Sequence, residues 1–279
     1  MGRLTWGQEA AVIRVGCSGY SYDDWHGPFY PRALPAAGRL AYYCQHFTTL
    51  ELNATYYRQP APAASARLAA AVGPDFRLAV KAWGGLTHDH PYATRADFRC
   101  FREGVAPLAE AGQLACVLAQ FPQRFRPGPA TEAFLGRLRE EWPELPVCVE
   151  FRQASWQTDS WVERLAALGL GWCNVDAPDL RGLPAAGEVW TADPAYVRFH
   201  GRNAARWHEH EAAWERYDYR YQPAELAAWV PRIEHLAAVA GEVLVFFNNH
   251  YQAQAVLDAR TLGAALGLES GGEEEVARE

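Results

Sequence analysis

Eight short apolar runs recur along the chain, and segments with apolar residues three and four positions apart, as in amphipathic helices, separate most of them. The runs span residues 13–19, 50–57, 77–83, 115–122, 146–152, 171–178, 195–201 and 242–249. The helical segments include 38–47, 97–112, 131–142, 160–168, 225–240 and 253–266. Strands that alternate with helices in this way predict βαβ units and a parallel sheet.

Eight such units in one domain favour a closed barrel, and 279 residues are enough for one. An open sheet that binds a nucleotide is the competing architecture. However, no GxGxxG follows the first run and no GxxxxGK[ST] occurs in the sequence. We therefore predict an α/β protein with a single (β/α)8 TIM barrel over residues 1–268. The Gly- and Glu-rich segment 269–279 is predicted to be a disordered acidic tail.

Charge and cysteine content narrow the class of protein. The chain carries 26 basic and 33 acidic residues, a net charge of −7, which argues against non-specific nucleic-acid binding. Its six cysteines show no CxxC pair or metal-type spacing and are interpreted as free, mostly buried thiols. No secretory signal is visible, and no apolar stretch approaches the roughly 20 residues of a membrane span. We expect a soluble cytoplasmic protein with no membrane partner, and its oligomeric state stays open.

Within each apolar run, the polar residues fall mostly at every second position, which we call one parity of the run. Side chains alternate between the two faces of a strand, and the face that meets the helices should be apolar. In run 146–152, this rule places Val147 and Val149 outside and leaves Glu150 inside. Lys81 and Gln120 share their parity with apolar residues, so the rule is weaker in their runs. The predicted inward charged set is Glu51, Lys81, Glu150, Arg152, Asp176, Arg198 and His200.

Two runs carry further expectations from the same rule. Run 50–57 is expected to place Asn53, Thr55 and Tyr57 inside with Glu51. Run 171–178 is expected to place Cys173 and Val175 outside, and Asn174 and Asp176 inside.

Buried charge is expensive, and even paired charges are often no better than apolar packing for stability. Several of the inward charges lie at the last positions of their runs, where the active sites of (β/α)8 enzymes are found. This position favours a functional site. The alternative is an ion-pair network that closes the top of the barrel, for example between Glu150 and Arg198.

Two predicted strand-to-helix connections are unusually long, 20–34 and 202–223, and both are rich in aromatic residues. Loops of more than about 12–15 residues are often lids or binding loops. We expect Trp25, Trp207 and Tyr219 to close over a ligand and exclude water. The alternative is that these rings pack the loops onto the barrel rim.

Short motifs in matching order give the chain a family resemblance. They are Gly16–Tyr20 with Trp25 and Phe29–Pro31, Glu51–Arg58, Lys81, Thr87–His88, Gln120–Pro122, Glu150–Arg152 with Ser155–Trp156, Tyr196–Gly201, Tyr217–Tyr219 and Phe247–Asn249. Across nearly its whole length the chain resembles the domain of unknown function 72 family, also called YecE-like proteins. The resemblance implies a (β/α)8 barrel and no settled reaction. Tyr20 departs from the pattern, because the family more often has Trp there.

The inward charges favour an uncharacterised enzyme that acts on a small phosphorylated or carboxylated substrate by general acid/base chemistry. Cationic side chains would hold the anion, and a carboxylate or imidazole tuned by its neighbours would move protons. The predicted catalytic residues are Glu150, Glu51, His200 and Lys81. The predicted substrate-binding residues are Asn53, Arg58, His88, Gln120, Arg152, Asp176, Arg198, Tyr219, Asn248 and Trp25. No cofactor and no metal are predicted.

Three alternatives stay open. Glu150, Asp176 and His200 on successive strands would suit a divalent metal in a hydrolase or isomerase. Glu51 and Glu150 would suit the two carboxyls of a glycosidase, although the cationic neighbours fit a neutral sugar poorly. The barrel would otherwise be a non-catalytic ligand- or nucleic-acid-binding protein, in which aromatic residues of 202–221 stack on bases and the Arg residues among them contact phosphates. The acidic balance disfavours nucleic acid as a partner. The motifs 88–90 and 208–210, each His-x-His, are interpreted as surface histidines.

Overall fold

Eight parallel strands close into a barrel in the order of the sequence. This is the fold in a computed structural model, which describes residues 11–268. The predicted (β/α)8 barrel is therefore confirmed, while the predicted disordered tail 269–279 lies outside the described residues. The strands are β1 Val12–Ser18, β2 Thr49–Leu52, β3 Arg77–Lys81, β4 Leu114–Gln120, β5 Val147–Glu150, β6 Gly171–Asp176, β7 Ala195–Phe199 and β8 Glu242–Phe247.

Helices follow seven of the eight strands over the described residues. They are α1 Arg39–Cys44, α2 Ala54–Tyr57, α3 Pro62–Ala71, α4 Gly84–Thr87, α5 Arg95–Glu110, α6 Pro129–Glu141, α7 Asp159–Ala167, α8 Pro223–Ala227, α9 Val230–Val239 and α10 Gln254–Ala265. Between β6 and β7, residues 177–194 form an irregular segment without a helix. Within 11–268, none of these helices is long and apolar enough to cross a bilayer.

The interior of the barrel is a small apolar layer separate from the larger core between strands and helices. It consists of Ala79, Ala115, Cys116, Leu118, Cys148, Cys173, Val175, Tyr196, Leu244 and Phe246. The outer core takes the opposite parity, for example Val149 on β5, Val197 on β7 and Val245 on β8. The parity predicted for β5 and the inward position predicted for Arg198 on β7 are therefore confirmed, and Glu150 and Arg198 lie inside the barrel.

The parity predicted for β6 is wrong. Cys173 and Val175 belong to the inner layer, so Asn174 and Asp176 point outward. The irregular segment 177–194 lies against the outer side of β6 at Asn174, where its backbone offers polar groups. The Asn174 amide accordingly donates to the Val189 carbonyl over 2.9 Å and accepts from the Val189 amide over 2.8 Å. A polar residue is favourable here because it pairs with backbone instead of packing on a helix.

The predicted strand 50–57 ends early, at Leu52, and 54–57 form the helical turn α2. The hydroxyl of Thr55 donates to the carbonyl of Lys81 over 2.6 Å, which fixes this turn against the end of β3. Asn53, Thr55 and Tyr57 therefore do not lie on the inward face of a strand, and that expectation is wrong.

Candidate functional site

A buried ion network lies inside the barrel, above the apolar inner layer. Arg198 on β7 donates from Nη2 to Oε1 of Glu51 over 2.7 Å and from Nη1 to Oε2 of Glu150. Tyr196 donates its hydroxyl to the other oxygen of Glu51, also over 2.7 Å. All four side chains are almost completely excluded from solvent. Burial opposes the charge of Arg198, but Glu150 and Glu51 outweigh it and raise the pKa of the guanidinium well above its usual value.

Glu150 is the most heavily engaged carboxylate of this network. Besides Arg198, it pairs with the guanidinium of Arg152, which follows β5, and it contacts Nε2 of His200 at 3.2 Å. Burial alone would raise the pKa of Glu150, but Arg152, Arg198 and His200 hold it well below its usual value. Glu150 is therefore a fixed anion rather than a free general base.

His200 is held in one tautomer at the end of β7. The amide nitrogen of Asn248 donates to Nδ1 over 3.1 Å, so Nε2 carries the proton and donates to Glu150. Burial, followed by the nearby Arg152, lowers the pKa of His200 to about 3. The imidazole is therefore neutral at physiological pH and acts as a hydrogen-bond bridge between β8 and β5.

A cavity of about 330 Å³ opens over this network at the carboxyl ends of β3, β4 and β5. Its wall is completed by the connection between β7 and α8, which contributes Trp207 and Arg216. The lining residues are Tyr56, Tyr57, Lys81, His88, Gln120, Pro122, Gln123, Arg152, Leu183, Trp207, His208, Arg216 and Tyr217. Arg152 connects the cavity with the ion network below it, because it lines the cavity and is ion-paired with Glu150.

Lys81 is the cavity residue whose charge is least compensated. Within residues 11–268 its amine forms no ion pair or hydrogen bond, and Nζ lies 4.7 Å from the centre of the Tyr56 ring. Burial and then Arg198 lower the pKa of Lys81 to about 7, although Glu150 and Glu51 partly offset this. Near neutral pH a large share of this amine is thus deprotonated.

The amino-acid composition marks Lys81 in a way that strand parity does not. Of the 26 basic residues in the chain, 25 are arginine, and Lys81 is the single lysine. An arginine side chain stays protonated in proteins, whereas a lysine loses its proton readily when it is buried. In a chain that otherwise uses arginine, the one lysine lies where burial and neighbouring cations favour loss of a proton.

The predicted site residues divide into three groups. Lys81, His88, Gln120 and Arg152 line the cavity. Glu51, Glu150, Arg198, His200 and Asn248 form the network below it and do not line it. The structure does not bring the remaining five, Asn53, Arg58, Asp176, Tyr219 and Trp25, into either group.

Asp176 is the clearest case of separation. Its two oxygens accept from Arg202 over 2.8 and 2.6 Å, from Tyr221 over 2.7 Å and from Trp229 over 2.7 Å. We call this cluster the clasp: Asp176, Arg202, Tyr221, Trp229 and Glu225, whose carboxylate accepts from Arg202 over 3.0 Å. The clasp lies on the outer side of β6 and fastens the long connection after β7. Among the described residues no three His, Cys, Asp or Glu side chains are grouped to hold a metal, and the set Glu150, Asp176 and His200 is not assembled.

Trp25 and Tyr219 pack the loops instead of facing the cavity. The indole of Trp25 is fully buried and donates to the carbonyl of His250 over 2.7 Å. The hydroxyl of Tyr219 donates to Glu225 over 2.7 Å and so adds to the clasp. Arg58 is exposed and Asn53 is half-buried beyond β2. Trp207 lies in the cavity wall as expected, and so does Tyr57, which parity placed inward although it lies on α2 and not on a strand. Tyr56, Arg216 and Tyr217 also line the cavity, and parity could not find them because they lie on loops and turns.

Comparison with known proteins gives a consistent result. The family described as protein of unknown function DUF72 matches residues 14–278. A DUF72 family protein from Thermotoga maritima is 37% identical, with a TM-score of 0.85 over 92% of this chain and 99% of that chain. One from Enterococcus faecalis is 26% identical, with a TM-score of 0.83 over 95% and 100%. The UPF0759 protein YunF of Bacillus subtilis is 27% identical over 94% of this chain and 97% of its own length. The resemblance noted in the sequence is thus confirmed, and the chain belongs to the DUF72 family, a family of uncharacterised function.

Proposed function

We propose that this barrel is an enzyme that binds a small anionic substrate in the 330 Å³ cavity and uses Lys81 to transfer a proton. The observation that supports it best is the charge of the lining. Lys81, Arg152 and Arg216 line the cavity together with two histidines, and no Asp or Glu is among the lining residues. A phosphate or carboxylate is the group that such a wall attracts.

The size of the cavity agrees with a small molecule. Ligand pockets are typically about 300–1,000 Å³ and lie at the C-terminal face of barrels of this type. Arg152 is preorganised for an anion, since its pairing with Glu150 fixes the guanidinium at the cavity floor. Tyr56 and Trp207 supply apolar walls that exclude water from the bound molecule.

Lys81 is the group best suited to proton transfer. An acid or base is most effective when its pKa is close to the working pH, and that of Lys81 is lowered to about 7. Glu51, Glu150 and His200, which the sequence nominated beside it, are fixed by hydrogen bonds within the network. Glu150 holds Arg152, and the charges of Glu150 and Glu51 act on the Lys81 amine.

A thermal-unfolding screen with phosphorylated and carboxylated metabolites, neutral sugars and short single-stranded nucleic acids tests the proposal. A ligand at 100 times its Kd should stabilise the protein by about 2.7 kcal/mol. We expect stabilisation by an anionic small molecule, lost in Arg152→Gln and retained in Arg67→Gln on the exposed side of α3. Stabilisation that is equal in both variants, or confined to neutral sugars or nucleic acid, would contradict it.

A further inference from the structure

We propose that Lys81 is a covalent nucleophile, whose amine forms an imine with the carbonyl carbon of an anionic substrate of the 2-oxo acid or phosphorylated ketone class. This inference rests on the proposed anion-binding function, and it assigns to the same cavity a substrate class and a reaction type.

The first support is that the Lys81 amine is available. Lysines buried for structural reasons are usually paired with a carboxylate. Here both nearby carboxylates are already occupied: Glu51 by Arg198 and Tyr196, and Glu150 by Arg198, Arg152 and His200. The amine therefore faces the cavity without a partner among the described residues.

The second support is the environment that activates an amine. A lysine becomes nucleophilic when it is desolvated or lies near another cationic group, because both disfavour the ammonium form. Lys81 meets both conditions, with the Tyr56 ring 4.7 Å from Nζ and Arg198 and Arg152 both lowering its pKa. The amine thus has the free electron pair that attack on a carbonyl requires.

The third support is the pairing of Lys81 with Arg152 in one cavity. A 2-oxo acid carries a carboxylate next to its carbonyl. A guanidinium holds the carboxylate in two parallel hydrogen bonds, which leaves the carbonyl free for the amine. Arg152 would hold the acid group, and Arg216, which lines the same cavity, would serve a phosphate or second carboxylate of the substrate.

The fourth support is that position 81 carries a lysine and not an arginine. The chain uses arginine at 25 of its 26 basic positions. If the cavity needed only positive charge at position 81, arginine would supply it and would bind the anion in two hydrogen bonds. An arginine does not form an imine, and a primary amine does. The single lysine therefore points to amine chemistry rather than to charge alone.

The step balances without a further reagent. The neutral amine adds to the carbonyl carbon, a C–N bond forms, and one proton moves from nitrogen to the former carbonyl oxygen to give a carbinolamine. The C–O bond then breaks, the oxygen leaves as water with the second amine proton, and a C=N bond remains. His88 lines the same cavity, and burial lowers its pKa to about 4, so its neutral imidazole can relay these protons.

Reductive trapping of the purified full chain tests the inference. The protein is incubated with pyruvate, 2-oxoglutarate, glyoxylate or dihydroxyacetone phosphate in the presence of cyanoborohydride, and the adduct is located by peptide mass mapping. We expect one reduced adduct at residue 81, formed at least tenfold faster than on N-acetyl-lysine amide at the same pH. The adduct should be absent in Lys81→Arg and Lys81→Gln, whose folding is checked by urea unfolding.

Arg152→Gln separates anion recognition from amine reactivity. When each trapping rate is divided by the free-amine fraction of Lys81 in that protein, Arg152→Gln should slow trapping of the anionic carbonyl compounds and leave that of neutral dihydroxyacetone within about twofold. If an unreactive anion still stabilises the protein but trapping at residue 81 is no faster than on the free lysine derivative, the imine is refuted and the anion-binding function stands. If neither binding nor trapping is seen, both proposals are refuted.

Discussion

Arg198 and Glu51 form an ion pair inside the barrel, with 2.7 Å between Nη2 and Oε1, and each is at most 1% exposed. Nη1 of Arg198 donates to Glu150, so both terminal nitrogens of the guanidinium are hydrogen-bonded within the protein. Neither terminal nitrogen of Arg198 is therefore free for the substrate anion that the sequence predicted it to bind. Its part is structural, and it holds the two carboxylates below the cavity.

Replacement of Arg198 tests this structural part. Arg198→Met leaves Glu51 and Glu150 buried without their shared cation, and loss of one partner of a buried pair costs about 3–5 kcal/mol. We expect a loss of this size in the free energy of unfolding, measured by urea titration. Arg67→Met on the exposed side of α3 is the matched control and should change it by less than about 0.5 kcal/mol. If Arg198→Met leaves the free energy of unfolding nearly unchanged but abolishes anion binding, Arg198 is instead a ligand for the substrate.

The clasp predicts a different result for Asp176. Its carboxylate accepts four hydrogen bonds, three of them from Arg202 and Tyr221 on the connection after β7. Asp176→Ala should release this connection, so that proteolytic cleavage within 202–222 becomes faster than in the wild type. Arg202 keeps Glu225 as a partner, whereas the buried Tyr221 hydroxyl and Trp229 indole lose their acceptor. We expect a loss in the free energy of unfolding of about 1–3 kcal/mol for each of these two donors.

Metal binding is the control for that prediction. If Asp176 were a ligand of a divalent ion, Mn, Zn or Mg would stabilise the wild type and not the variant. We expect no difference between the two in a thermal-unfolding titration with these ions. A stabilisation by metal that disappears with Asp176 would contradict the clasp as its main role.

The difference between Asp176 and Glu150 shows where sequence reasoning succeeds. Both are acids near the end of an apolar run, and parity placed both inside. The rule holds for β5, whose outer face packs on other apolar residues. It fails for β6, whose outward Asn174 pairs with the backbone of 177–194 and whose outward Asp176 pairs with the polar side chains of the clasp. Whether a strand is covered by a helix or by an irregular segment depends on the chain that follows it, so the strand itself carries no such information.

The cavity was less predictable than the barrel for a related reason. Eleven of its 13 lining residues, such as Tyr56 and Arg216, lie outside the strands on loops and turns, which have no strand periodicity to analyse. The ion pairs inside the barrel were also not predictable, because strand register determines that Arg198 meets Glu51 and Glu150. The sequence therefore identified the inward charges on β2, β5 and β7 correctly, but it did not reveal that the lysine on β3 stays unpaired.

His200 yields a prediction about tautomer and pH. Nitrogen-15 chemical shifts of its imidazole should show a neutral ring with the proton on Nε2 from pH 8 down to about 4, since its pKa is lowered to about 3. The folded pKa lies below the ordinary value of 6.5, so the unfolded state takes up the proton first. Stability is therefore lost as the pH falls from 6.5 towards 3, and His200→Gln should remove that part of the loss. Titration of the assigned ring near 6.5 would show that the site is more hydrated than the structure indicates.

Lys81 yields the prediction that bears most directly on chemistry. Trinitrobenzenesulfonate reacts with deprotonated amines, and Lys81 is the single lysine, so its labelling can be followed by mapping one peptide. The labelling rate should rise with pH around a midpoint near 7, because burial and Arg198 lower the pKa of the amine from 10.5 to about 7. Arg152 acts in the same direction, so Arg152→Gln should move the midpoint upward, while Arg67→Gln should leave it in place. A midpoint near 10 in the wild type would mean that the amine is protonated at neutral pH. It would then serve as a fixed charge for the anion, and neither proton transfer nor attack on a carbonyl could be assigned to it.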